Sequence, residues 1–350
     1  MTSRPSRIIV RAPNWVGDAV MSFPFFASLK ASAPSAEVLC LCRPFLGGLF
    51  RTVAGVDQVI VLNESKGRSG LGFIWRNAGY LRRMGIDMGF ALPSSFGSAL
   101  MLRLAHIPIR VGYSAEARGP LLTHSIPYGA NGQRPHRTEG YLKLLGLPFP
   151  APTFDRTLRY TPDPVSTNAA ADLRERNASL IVPVLAMAPN AAQQNKMWDA
   201  SRFAIIGRQW IDEFKGSVIL VGAAGDYEAC EALRSSIDPG SVVNFAGAGD
   251  LPLTAALMAQ CDAFLGNDSG LAHLAAAVGL PSVVVSGPGD PTEVAPFSPL
   301  AITVKRQLFC SPCYKNYCYR KDSPLECLTA IPPEDVWQHL SRFGKKVQGA

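Results

Sequence analysis

One stretch restricts what this chain can build more than any other: Asp262-Ala-Phe-Leu-Gly266-Asn267-Asp268-Ser269-Gly270-Leu271-Ala-His273-Leu274-Ala275-Ala-Ala-Val278-Gly279-Leu-Pro281. Residues 263–265 are apolar enough for a buried strand, and Gly266-Asn267 ends it with residues that tolerate positive φ. Asp268 or Ser269 then stands at an N-cap, Leu271, Leu274, Ala275 and Val278 follow at helical spacing, and Gly279 with Pro281 closes the helix. A helix start of this kind leaves backbone N–H groups and the positive end of a dipole at the mouth of a sheet, a place suited to a diphosphate. Gly270 keeps the approach open. The competing reading is an ordinary capped helix in an α/β core, with His273 turned into packing or solvent. The stretch by itself does not separate the two.

The remainder of the chain supplies the sheets. Residues 7–11 read as a first strand, with further strands at 38–42, 58–62, 88–92 and 110–113, spaced as parallel crossovers require. Between the first strand and a helix that opens near Pro24 lies Ala12-Pro13-Asn14-Trp15-Val16-Gly17-Asp18-Ala19-Val20, read as a loop at the carboxyl edge of a strand. Open α/β sheets bind ligands at that edge, so Asp18 is a candidate for chemistry, with a turn or cap residue as the alternative. Pro-, Gly- and Arg-rich segments around Arg118-Gly119-Pro120 and 129–136 read as surface loops. The prolines at 148, 150, 152, 162 and 164 break regular structure twice and mark a hinge. A second series follows, with a helix at 165–177 and strands at 182–188, 217–221, 242–245, 263–265, 282–286 and 301–304. The expected organisation is therefore α/β, with Rossmann-like βαβ domains at 1–160 and 161–330. A helix within 331–350, carrying Val336, Leu340 and Phe343 on one face, is expected to pack back across the hinge.

Charge and composition narrow the class of protein. The chain has 350 residues, 47% of them hydrophobic and 17% charged, and no apolar run reaches the ~20 residues of a membrane span. The start lacks the apolar core of about 7–15 residues that a signal peptide carries, which predicts a cytoplasmic protein. The net charge of +7 is uneven: residues 1–160 carry 19 Lys and Arg against 8 Asp and Glu, and residues 161–350 carry 15 against 19. A basic half joined to a mildly acidic one suggests a large anionic partner for the first half, such as a phosphorylated glycolipid or a membrane surface. Nothing resembling a zinc finger, a helix-turn-helix or an arginine-rich run supports nucleic acid. Of the eight cysteines, Cys40, Cys42, Cys230 and Cys261 sit in or near apolar segments as core residues do. Cys310-x2-Cys313-x4-Cys318-x8-Cys327 admits a zinc reading, although a structural zinc ribbon more often pairs two C-x2-C knuckles.

Four segments of the second half follow strands, as nucleotide contacts do. The first, Asn190-Ala191-Ala192-Gln193-Gln194-Asn195-Lys196-Met197-Trp198, offers small residues, amides and a lysine able to neutralise phosphate. The second runs from Gly222 to Asp226, the third is the Asp268-Ser269-Gly270 turn, and the fourth spans 287–293. No G-x-G-x-x-G follows the first strand and no G-x-x-x-x-G-K-S/T occurs, which argues against dinucleotide and P-loop sites.

On Asn267-Asp268-Ser269-Gly270-Leu271-x-His273-x-Ala275-Ala276-Ala277, on Pro13-Asn14-Trp15-Val16-Gly17-Asp18, and on Lys196-x-Trp198, the chain resembles the ADP-heptose:lipopolysaccharide heptosyltransferases of glycosyltransferase family 9. The Cys310-x-Pro312-Cys313-x4-Cys318 tail is similar to that of the branch adding the second heptose. The resemblance implies a GT-B architecture facing a central cleft, with the acceptor on the first domain and the sugar nucleotide on the second. It further implies an inverting, metal-independent displacement without a cofactor, transferring L-glycero-D-manno-heptose from ADP-heptose to a lipid A–Kdo–heptose acceptor. By that resemblance Asp18 is the general base, and Lys196, the amides around Ser269 and Gly270, and His273 hold the diphosphate. Asn190, Ala191, Ala192, Gly222 and Asp268 complete the donor side, while Asn14, Trp15, Gly17 and Arg118 serve the acceptor. Domain closure is expected to bring the two sides together, with the enzyme peripheral at the cytoplasmic face of the inner membrane.

The chain departs from the family pattern at Ala191, Ala192 and Ala224, where donor contacts are usually polar or acidic, and at Met197, where a basic residue is usual. Three alternatives follow: a family 9 transferase using another donor or acceptor sugar, a GT-B-like sugar-nucleotide epimerase, and a non-catalytic nucleotide-sugar-binding protein. The basic first half argues against the epimerase.

Overall fold

The structure, a computed structural model, describes residues 5–349 apart from 66, 68, 69, 130–133, 151, 153, 178 and 179. The core of the loop expected at 129–136, and Ala151 of the expected hinge, lie outside the described residues. Contacts divide the chain into two compact units, Met1–Leu158 and Arg159–Ala350.

In the first unit six strands form one parallel sheet: β1 (Arg7–Arg11), β2 (Glu37–Cys42), β3 (Gln58–Val61), β4 (Met88–Ala91), β5 (Ile109–Tyr113) and β6 (His124–Ile126). Their order is β3-β2-β1-β4-β5-β6. β1 pairs with β2 from Arg7↔Glu37 to Arg11↔Leu41 and with β4 from Ile8↔Met88 to Arg11↔Ala91, so its middle is buried on both faces. Near-continuous apolar runs such as Ile8-Ile9-Val10 are what such strands require. Two helices follow β1 almost without pause, α1 (Val16–Met21) and α2 (Phe23–Ser32), the second with Pro24 in its first turn. Phe25 meets Phe90 of β4 edge-on at 5.1 Å, and Phe26 packs with Phe50 at 5.4 Å, fixing α2 on the sheet. A further helix, α3 (Arg137–Lys143), is capped by His136, whose Nδ1 accepts from the Thr138 amide at 3.2 Å.

The second unit repeats the plan with β7 (Val184–Ala188), β8 (Ser217–Leu220), β9 (Val242–Asn244), β10 (Ala263–Asn267), β11 (Ser282–Val285) and β12 (Ala301–Val304), ordered β12-β11-β10-β7-β8-β9. Counted from its own first strand, this is the same doubly wound order. The helices that matter below are α4 (Ala200–Phe214), α5 (Gly270–Ala277) and α6 (Pro333–Gln348). Its core gathers Leu185, Met187, Trp198, Phe203, Trp210 and Phe214, all buried. The terminal helix α6 lies against α4 and against β10, β11 and β12 of its own unit. Trp337 stacks on Phe214 at 5.8 Å.

Candidate active site

Both sheets reverse direction beside their first strand, and ligands of open α/β sheets settle in the crevice outside the carboxyl ends of the strands at such a switch point. In the first unit the switch falls between β1 and β4, and the segment leaving β1 carries Asn14, Trp15, Gly17 and Asp18. The chain leaves the sheet with the Ala12 amide bonded to Leu41 O at 2.9 Å. Arg11, buried at the end of β1, donates to Ala12 O and to the Asn14 side chain. Burial pulls its pKa down to about 10. Trp15 occupies the N-cap position of α1 in an extended conformation, offers no side-chain cap, and leaves its ring 67% exposed. The segment read as a loop is therefore helical from Val16, and Asp18 stands in the first helical turn, where the dipole favours an anion.

Asp18 Oδ1 lies 3.4 Å from Nε of Arg137, the first residue of α3, and the two side chains are 27% and 30% exposed. The Arg137 guanidinium sits over the Tyr128 ring at 5.4 Å. Tyr141, on the same helix, is buried beside them; burial first and the charge of Asp18 second push its hydroxyl well above the ordinary tyrosine range. Arg137 and Tyr128 were not among the expected site residues. Their positions are near in space to Asp18 but 110 or more residues away in sequence, and no local pattern links them.

Arg118 was expected among the acceptor contacts. It is wholly buried, and its guanidinium donates to Tyr113 O at 2.6 Å, Ser98 Oγ at 2.9 Å, Ser95 O at 3.3 Å and Pro93 O. Burial lowers its pKa to about 10. Those partners lie at the end of β5, in the loop after β4 and in the helix Phe96–Leu104 that follows it, so Arg118 braces that loop from within.

In the second unit the switch falls between β7 and β10, and the segments leaving those strands are 189–198 and 268–270. Asn267, wholly buried at the end of β10, joins them: its Nδ2 donates to Pro189 O at 2.6 Å and its Oδ1 accepts from the Trp198 amide at 2.9 Å. One side chain thus fastens both ends of the lysine-bearing segment to the sheet. Trp198 anchors the far end, with its indole N–H on Ile331 O at 3.0 Å and its ring edge-on to Phe203 at 5.2 Å. Held this way, Lys196 Nζ meets Asp268 Oδ2 at 2.8 Å. Ser269 takes the N-cap position of α5, but its side chain makes no cap bond, and its Oγ is buried without a hydrogen-bond partner. A buried orphan hydroxyl at a helix start is the group a bound anion would satisfy. His273 lies buried within α5.

The remaining donor candidates border this place. Asn190 points its Nδ2 at the Cys230 sulfur, 3.8 Å away. Ala191 is half-buried and Ala192 exposed. Gly222 follows β8, and an added Cβ there would stand 3.0 Å from Oδ2 of Asp226, whose carboxylate accepts the Ala223 amide at 2.8 Å. Gly289 brings the fourth segment close, since a Cβ on it would stand 3.1 Å from Asp268 Oδ2.

The cysteine tail supports the same segment. Cys310, Cys313, Cys318 and Cys327, all half-buried free thiols, line one small cavity with Asn195 and Pro288. Asn195 donates to Lys315 O at 2.7 Å, Gln193 to Asn316 Oδ1 at 2.9 Å, and the Cys313 amide to Pro288 O at 3.1 Å. Burial, with the neighbouring thiols, pushes Cys327 up to about 11. Among the described residues no three His, Cys, Asp or Glu side chains are grouped to hold a metal ion.

The geometry has counterparts among known proteins. Residues 74–323 match the family model glycosyltransferase family 9 (heptosyltransferase), more than half of the chain. Lipopolysaccharide heptosyltransferase 2 of Salmonella typhimurium is 29% identical over 307 residues, covering 85% of this chain and 88% of that one. The solved structure of E. coli ADP-heptose lps heptosyltransferase II superposes with a TM-score of 0.80 at 25% identity, covering 98% of this chain and 99% of that one. A family 9 glycosyl transferase from Veillonella parvula shares the fold with a TM-score of 0.84 at 19% identity, over 97% of this chain and 98% of that one. Two doubly wound parallel sheets, the fold of the GT-B heptosyltransferase structures, carry a lysine–aspartate pair at one switch point and a carboxylate at the other: the chain belongs to glycosyltransferase family 9, the heptosyltransferases.

Proposed function

We propose that the chain moves L-glycero-D-manno-heptose from ADP-heptose to the inner core of lipopolysaccharide, adding the second heptose onto heptose I, by one inverting displacement without a metal ion. Lys196 held against Asp268 beside the orphan Ser269 hydroxyl at the start of α5 is the observation that carries the reading. Such a cation and helix start suit a leaving diphosphate, because its charge grows as the glycosidic bond breaks and preorganised donors answer it without rearranging. Asp268 holds Lys196 in place. Asp18 takes the proton of the acceptor hydroxyl, the freed oxygen attacks the anomeric carbon from the face opposite the diphosphate, the bond to ADP breaks, and ADP departs with its electron pair. A positioned base of this kind contributes about 10²–10⁴-fold. Asn14 and the exposed Trp15 ring serve the acceptor sugar, and the basic first unit suits a phosphorylated, carboxylated glycolipid at a membrane surface. Among the described residues no helix is long and apolar enough to cross a membrane, so contact with that surface is peripheral in this reading. The relatives named as lipopolysaccharide heptosyltransferases point to the same acceptor class.

Alanines at 191, 192 and 224 favour a second reading, a family 9 transferase acting with another donor sugar. Mass analysis of lipopolysaccharide from a strain lacking this protein separates the two. A core cut back to its first heptose is the expected result; a core that keeps every heptose and lacks a different sugar overturns the assignment.

A further inference from the structure

Arg137 lies beside the proposed base and has no role in the displacement described above. Its Nε stands 3.4 Å from Asp18 Oδ1, an ion pair longer than the roughly 2.7–2.9 Å of a charge-assisted hydrogen bond. Arg137 opens α3, and its guanidinium carbon lies 5.4 Å from the centre of the Tyr128 ring. About a third of the side chain is open to solvent, and a guanidinium carries five donors in a planar fork that matches phosphate or carboxylate. Among the described residues its ionisable surroundings include three phenols and the N-cap imidazole: Tyr128, the buried Tyr141 on its own helix, Tyr113, which donates to Gly140 O at 2.5 Å, and His136. α1 contributes Asp18 as its acid and no base. An arginine paired to a catalytic carboxylate makes it a poorer base, so the pair has to loosen when a hydroxyl is to be deprotonated.

We propose that Arg137 is the receptor for an anionic group of the acceptor, and that this group, on binding, draws the guanidinium away from Asp18 and frees the carboxylate to take the hydroxyl proton. The inference rests on Asp18 being the base. The cation–π contact with Tyr128 gives the guanidinium a support that does not depend on Asp18. The surplus of positive charge in residues 1–160 steers an anionic acceptor toward this unit. Phosphate and carboxylate are the two chemistries that fit, and each can be removed from the acceptor separately.

The test is a cycle between residue and acceptor charge, with purified full-length protein, ADP-heptose and three acceptors: the intact inner-core glycolipid, the same after phosphatase, and the same with its carboxylates reduced. The wild type should lose about 10- to 100-fold in kcat/KM on one stripped acceptor, whereas Arg137→Gln should treat intact and stripped acceptors alike to within about threefold. Arg137→Lys should recover part of the discrimination, and the KM for ADP-heptose should stay unchanged in both variants. A wild type indifferent to acceptor charge, or an Arg137→Gln variant that keeps the wild-type ratio between intact and stripped acceptors, overturns the proposal. Asp18→Asn run alongside separates the two readings: wild-type turnover in that variant removes the base, while lost discrimination in Arg137→Gln alone still reports charge recognition.

Discussion

A single amide side chain decides where Lys196 can reach. Asn267 bonds Pro189 O and the Trp198 amide from a wholly buried position, so Asn267→Ala leaves a carbonyl and an N–H unpaired in the core. We expect a loss of about 2–3 kcal/mol in urea unfolding, with kcat/KM falling further than folding alone explains because the lysine segment is released. Lys196→Ala should leave the fold intact and reduce kcat/KM by about 10²-fold, read from initial rates at limiting ADP-heptose. The sequence made Lys196, Asp268, Ser269 and Asp18 visible because each sits in a compact local pattern: a helix start, or a polar turn after an apolar run. Asn267 was legible as a strand terminator and as the first residue of the family-like run, but not as a clamp, since its partners lie 69 and 78 residues away. The burial of Arg118 was hidden for the opposite reason. Its Gly-Pro surroundings resemble a surface loop, and only the fold shows that five acceptors enclose its guanidinium.

At the level of elements, the strand series could be read from apolar runs bounded by Gly and Pro, because strands buried on both faces leave a continuous signal. β6 escaped because His124-Ser125-Ile126 has no apolar run, and α1 because Trp15 offers no cap oxygen at its N-cap position. Packing sets the place of α6. An added Cβ at Gly344 would stand 2.4 Å from the Phe214 ring, so Gly344→Ala should push α6 off α4 at a cost of about 1–3 kcal/mol, measured by thermal unfolding. Asp87 ties the beginning of β1 toward β4: its Oδ2 accepts the Ser6 hydroxyl at 2.7 Å and the Ser6 and Arg7 amides at 2.8 and 2.9 Å. The Ser6 hydroxyl and those amides hold its pKa below the ordinary value. A carboxylate with a depressed native pKa stabilises the fold above its unfolded pKa of about 3.9 and loses that contribution as pH falls through the native value. Asp87→Asn should therefore lower the melting temperature at pH 7, and the gap to wild type should close as the pH falls through the depressed native pKa of Asp87. A gap that stays constant across that range contradicts this assignment.

Across the whole molecule, one strand order appears twice, and each copy places its candidate site residues at the same topological position, the switch beside its first strand. A +11 half and a −4 half divide the charge between the unit proposed to meet an anionic acceptor and the one whose proposed nucleotide site carries a lysine and a helix start. The account depends most on Asp18 acting on the acceptor while the donor side stays independent of it. The direct measurement is transfer from ADP-heptose by Asp18→Asn, paired with calorimetric titration of ADP-heptose on the same preparation. Turnover should fall by about 10²–10⁴-fold with donor affinity unchanged. Turnover at the wild-type rate, or a loss of donor binding equal to the loss of turnover, contradicts it.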